Sequence, residues 1–104
     1  MPIYSLSTPT TTSTTATTQT ELDGALVANT AKKIANANAN RKQLTIYNKT
    51  NATVFFAYGN DVSASNYAFK LGLDGYYEMP LPTYTGEVWA LSASTAALEV
   101  WEAT

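Results

Sequence analysis

Between Thr8 and Thr20 threonine occupies nine of thirteen positions, and only Pro9, Ser13, Ala16 and Gln19 interrupt it. The stretch carries no large apolar side chain, so it cannot fold around itself. Fixing one backbone residue costs about 1–2 kcal/mol, so ordering the first twenty residues costs roughly 20–40 kcal/mol. Ile3, Tyr4 and Leu6 near the tip cannot offset that. Left to itself the stretch is a solvated linker. Held in one conformation it needs a surface outside itself, and a neighbouring subunit in an assembly is the obvious source. Threonine is β-branched and favours extended backbone. Residues 1–24 therefore read as a Thr-rich extended N-terminal arm and residues 25–104 as one domain.

A domain of that size can be stable without metals or disulfides. The chain has no cysteine and no histidine. It therefore lacks the commonest general base, and the expectation is no cofactor, no metal and no redox dependence. Six basic residues against eight acidic ones give a net charge of −2, and the basic ones are scattered. Nucleic acid wants a clustered basic face. No stretch reaches the roughly 20 apolar residues of a membrane span. The opening MPIYSLS has neither a basic start nor an apolar run, so a secretory signal is not expected and synthesis in the cytoplasm is. Charged residues make up 13% of the chain, about half the ordinary share. Such neutral surface suits packing against other protein.

Downstream the pattern is that of short strands. Residues 25–35 admit two readings: a helix capped by Asp23, or a strand over Thr30–Ala35, which is preferred. Residues 36–40 (Asn-Ala-Asn-Ala-Asn) form a turn-rich loop. Lys42–Asn48 alternates, with Leu44 and Ile46 on one face and Gln43, Thr45 and Tyr47 on the other. Thr53–Tyr58, Asn66–Leu71 and Gly75–Met79 follow as strands between Gly- and Asn-rich turns. Pro80 and Pro82 forbid a central strand at their position. Short strands at this spacing predict an all-β fold, a single antiparallel β-sandwich or jelly-roll-like domain. Its expected core is Leu44, Ile46, Val54, Phe56, Val88, Ala90, Leu98 and Val100. Asn48, at a strand end, is expected to cap a turn through its amide, and Arg41 to pair with a carboxylate such as Glu78. Removing residues 1–20 is expected to leave the domain folded.

The last two runs, Glu87–Ser92 and Ala97–Glu102, read as a hairpin. Alternation puts Val88, Ala90, Leu98 and Val100 inward. Trp89 and Trp101 then share the second face with Glu87 and Glu99. Two indoles on a charged face are a partner-binding surface or an edge packed under a loop.

Enzymatic constellations are missing from the sequence. The acids Asp61, Asp74, Glu78, Glu87, Glu99 and Glu102 are isolated, and no nucleophile elbow, phosphate loop or Cys/His cluster occurs. No catalytic residue is expected. Seven tyrosines and two tryptophans leave a carbohydrate-binding module as the rival reading, with Tyr76, Tyr77 and Tyr84 near turns.

The segments Arg41-Lys-Gln-Leu-Thr-Ile-Tyr-Asn48, Val54-Phe-Phe-Ala-Tyr-Gly59, Ser63–Leu71, Tyr76-Tyr-Glu78 and Gly86-Glu-Val-Trp-Ala-Leu91 together resemble small β-sandwich structural proteins of tailed bacteriophage virions. These occupy head-decoration, head-fibre and tail-associated positions. The resemblance covers roughly residues 31–102 and implies a virion location, with the major capsid protein or other virion proteins as partners. An arm plus one module is the economy of a capsid decoration (cement or head-fibre base) protein; a small tail or adaptor component is the runner-up. On this reading the chain is a homo-oligomer, with a trimer expected. The arm binds its partner through Ile3, Tyr4 and Leu6, and the sandwich through Trp89 and Trp101.

Overall fold

Two antiparallel sheets pack face to face in the structure, a computed structural model that describes residues 15–104. Nine strands follow in chain order: β1 (Gln19–Leu22), β2 (Ala25–Leu26), β3 (Lys32–Ala35), β4 (Gln43–Asn48), β5 (Val54–Ala57), β6 (Phe69–Leu71), β7 (Tyr76–Glu78), β8 (Val88–Ser92) and β9 (Ala96–Ala103). The first sheet runs β1-β9-β4-β7, with β2 continuing the line of β1 along β9; the second runs β3-β8-β5-β6. No helix occurs among the described residues. Of the two readings of residues 25–35, the strand holds, as β3.

The alternation seen in sequence becomes the inside and outside of the sandwich. β4 reads half-buried and buried by turns, with Leu44, Ile46 and Asn48 inward. Val88, Ala90 and Ser92 point inward from β8; Ala96, Leu98 and Val100 point inward from β9. All eight expected core residues lie in one cluster, joined by Leu26, Ile34, Ala35, Met79 and Ala96. Each large aliphatic or phenyl group removed from water there contributes about 1.5–3 kcal/mol. At the mouth between edge strands β6 and β7 an aromatic column closes the core. Phe56 stacks on Phe69 at 4.7 Å and Phe69 on Tyr77 at 4.0 Å. The Tyr77 hydroxyl meets that of Tyr58 at 3.2 Å, and burial raises its pKa above the ordinary tyrosine value.

Three expectations are corrected here. First, β8 and β9 do not form a hairpin. β8 pairs with β3 and β5, and β9 with β1, β2 and β4, so the link at 93–95 crosses from one sheet to the other. Alternation says which side chains face in, but not which strand supplies the hydrogen bonds, and an arch satisfies it as well as a hairpin. Second, Arg41 pairs with Glu102 and not with Glu78. Its Nε donates to Glu102 Oε2 at 2.7 Å, its Nη1 to the carbonyls of Tyr84 and Gly86, and its Nη2 to that of Asn36. Asn38 Nδ2 donates to Glu102 Oε1 at 3.2 Å. This buried clasp ties the 36–41 and 84–86 loops to β9. Third, the segment read as arm runs into the sheet. β1 lies within residues 1–24 and pairs in unbroken register with β9, from Gln19↔Ala103 to Leu22↔Val100. Removing residues 1–20 therefore takes half of β1 with it.

Asn48 does what its position at a strand end predicted. Its Nδ2 donates to the carbonyls of Ala52 and Leu71, and its Oδ1 accepts from the Thr50 amide and hydroxyl. At Gly24 the chain presses on β9, with Leu98 N donating to Gly24 O at 3.0 Å. A Cβ there would collide with the Leu98 carbonyl.

Candidate functional site: the outer face of the first sheet

The register of four strands assembles a face that no single segment announces. Thr45 stands opposite Trp101 on one side and Glu78 on the other, and Trp101 stands opposite Glu21. One row along, Tyr47 lies between Glu99 and Tyr76; on the far side Ala103 lies between Gln19 and Gln43. The result is a sheet surface carrying Trp101 near its centre, two tyrosines and three glutamates.

Its charges are linked. Lys49 Nζ donates to Glu99 Oε1 at 2.8 Å. The pKa of Glu99 is lowered, first by its bond from Lys49 and then by Glu21. Glu21 is raised, chiefly through its hydrogen bond to and repulsion by Glu99. Tyr47 donates its hydroxyl to Asp74 Oδ1 and is raised above the usual tyrosine value by that bond. Two carboxyls pushed in opposite directions are a pattern found in glycosidases. There, however, the pair stands about 5–9.5 Å apart to admit the sugar bond or a water. Glu21 and Glu99 instead act on each other directly, each shifting the other's carboxyl.

Two hollows open on the first sheet, one of them against the indole. One, of about 80 Å3, is lined by Gln19, Gln43, Thr45 and Trp101. The other, of about 440 Å3, opens where the chain kinks between β1 and β2, beside Glu21, Asp23, Gly24, Lys49 and Leu98. Among the described residues no group of three acids could hold a metal ion.

The structure separates the two tryptophans that the sequence put on one face. Trp101 is 40% exposed on the first sheet. Trp89 lies on the outer surface of the second sheet, opposite Lys33 and Ala57. Its indole donates to Glu87 Oε1 at 3.0 Å, and Lys33 approaches the other oxygen of that carboxylate. Both indoles face outward, on opposite sides of the sandwich. Ile3, Tyr4 and Leu6 lie outside the described residues.

Sequence reasoning missed Glu21 and Gln19 as neighbours of Trp101, and Lys49 as the partner of Glu99. The outward positions of Gln43, Thr45 and Tyr47 were visible as alternation. The β4–β9 and β1–β9 registers that place them beside the indole had no local signal. Set against protein-family models, curated proteins and solved structures, the chain matches none.

Proposed function

We propose that this chain is a non-enzymatic structural protein of a tailed-phage virion, a capsid decoration protein that attaches through its N-terminal arm and its sandwich. The observation carrying the reading is the way the Thr-rich run meets the fold. It enters the first sheet as the edge strand β1, with Thr17 and Thr18 already hydrogen-bonded to Thr104 O. A chain leaving a sheet edge in extended form can add to another protein's sheet, where main-chain hydrogen bonds supply the affinity that threonine side chains lack. Few charges and an exposed central indole suit the same role, since tryptophan is a frequent anchor of protein interfaces. The major capsid protein or another virion protein is the partner on this reading, and a tail or adaptor position is the variant of it.

A carbohydrate-binding role is the second reading, favoured by one feature: Trp101 beside a hollow lined by two side-chain amides, Gln19 and Gln43. Deleting residues 1–14 separates the two. For an assembly protein the shortened chain keeps its fold and loses its place on the particle, and Trp101→Ala lowers occupancy. For a sugar binder the deletion leaves binding intact, while Trp101→Ala abolishes the signal on a glycan array. Full particle occupancy by the shortened chain would overturn the assembly reading.

A further inference from the structure

Each sheet of a sandwich has two edges, and exposed edges invite pairing unless something blunts them. Three of the four edges here are blunted. β3 carries Lys32 and Lys33 and a register irregularity between Lys33 and Ala35. β6 is three residues long with Lys70 at its centre. β7 is equally short, and Pro80 and Pro82 follow closely behind it. β1 has no lysine, no proline and no bulge, and its residues Gln19 to Glu21 are exposed. Its one charge, Glu21, stands opposite Trp101 on the sheet.

The backbone of β1 is ready for a further strand. Thr18 and Thr104 exchange both main-chain bonds, Thr104 N to Thr18 O at 2.8 Å and Thr18 N to Thr104 O at 3.3 Å. Hydrogen-bonding direction alternates along an antiparallel strand. Thr20 and Leu22 therefore also bond toward β9, and the N–H and C=O of Gln19 and Glu21 point away from it. No described strand meets them.

We propose that the free edge of β1 docks a second copy of this chain, β1 against β1 about a two-fold axis through Thr20, so that two first sheets become one continuous sheet. The segment is self-complementary in one register. Gln19 stands opposite Glu21 of the second copy and Glu21 opposite its Gln19, so every outward N–H and C=O of those residues is bonded. Thr20 faces Thr20, a favourable cross-strand pair. Shifting one way sets Glu21 against Glu21, and like charges directly opposite are destabilising. Shifting the other way needs the Thr17 amide, which already donates to Thr104 O at 2.8 Å. In the chosen register the residues preceding Thr18 run alongside Asp23–Ala25 of the second copy, where the hollow of about 440 Å3 opens. One contact then uses both the edge and the arm, and being isologous it closes on itself. The inference deepens the assembly reading and rests on it for the premise that copies of the chain meet.

The chain has no cysteine, which makes crosslinking clean. Cross-strand partners at the axis bring their Cα atoms to about 4.5 Å, within the roughly 4.4–6.8 Å that a disulfide spans. Under mild oxidation full-length Thr20→Cys should give a covalent dimer, while Thr18→Cys, whose copies sit far from the axis, should stay monomeric. Thr20→Lys, at an exposed position, should halve the mass measured by light scattering at high concentration and leave the strand content unchanged. Equal crosslinking at both positions, no crosslinking at either, or a mass unmoved by Thr20→Lys would overturn the edge contact. If that happens while deletion of residues 1–14 still strips the chain from its particle, the assembly reading survives without it. If the crosslink forms but the shortened chain stays on the particle, the pairing stands and the arm's role falls.

Discussion

Glu102 and Glu99 stand three residues apart on β9, and each holds a cation, yet they serve different ends. Glu102 faces the interior, its side chain 11% exposed, against an Arg41 whose side chain is wholly buried. Four protein acceptors surround that guanidinium, so the pair welds two loops to the sheet. Glu99 faces water and holds Lys49 at 2.8 Å. An ion pair in the interior is costly to form and far costlier to break on one side, because the survivor stays buried and unpaired. The same pair in solvent is screened and replaceable. Strand alternation alone decides which glutamate is structural and which belongs to a surface open for contact.

The largest expected effect comes from breaking the inner pair alone. Arg41→Met should cost about 3–5 kcal/mol of stability by urea titration, since it strands Glu102 and the freed carbonyls of Tyr84, Gly86 and Asn36. Lys49→Met should leave the unfolding midpoint within the scatter of ordinary surface changes. Comparable losses in the two variants would erase the distinction drawn here. Asn48→Ala comes next. It removes the donor to two carbonyls and the acceptor for Thr50, and should cost about 2 kcal/mol or more, because buried polar groups left unsatisfied carry their full desolvation penalty.

Truncation sharpens the comparison at the sheet edge. Deleting residues 1–14 should leave Tm unchanged, whereas deleting residues 1–22 should lower it by stripping β1 from β9. Equal melting of the two would mean that β1 adds nothing to the fold.

The smallest effect is electrostatic. Glu21 has its pKa raised in the folded state, so what it contributes is fully present below the ordinary glutamate value and is lost as pH rises through the raised one. Glu21→Gln keeps the size and polarity of the side chain and cannot ionise. The variant should match the parent in acid and melt slightly higher near neutrality, as thermal scans across the pH range would show. A Tm advantage that grows toward acid would reverse the assignment.

The core was legible because alternation is a local property. Leu44, Ile46, Val54, Phe56, Val88, Ala90, Leu98 and Val100 could be placed inward one strand at a time, and all eight are buried together. Asn48 was legible for a similar reason, since a strand end followed by Lys-Thr-Asn asks for a local cap. Arg41 was half legible. A lone arginine at the entry to a strand wants a carboxylate, but the chain offers several, and only the β4–β9 register chooses Glu102 over Glu78.

The sequence by itself determined the strands from β3 onward, the core-facing side of β4, β8 and β9, and a Thr-rich segment unable to support itself. These follow from the two-residue period of a strand and from side-chain volume, which a reader of the chain can count. The tertiary structure decided which strands are neighbours. The three-residue link after β8 serves a hairpin or an arch equally well, and the choice was made by what β3, β5, β1 and β4 could bury against. That choice sent Trp89 and Trp101 to opposite faces, set Glu21 beside Trp101, and made the last part of the apparent arm the outermost strand of a sheet. Pairing between distant strands is settled by the closing of the whole core, and no local stretch of sequence records it.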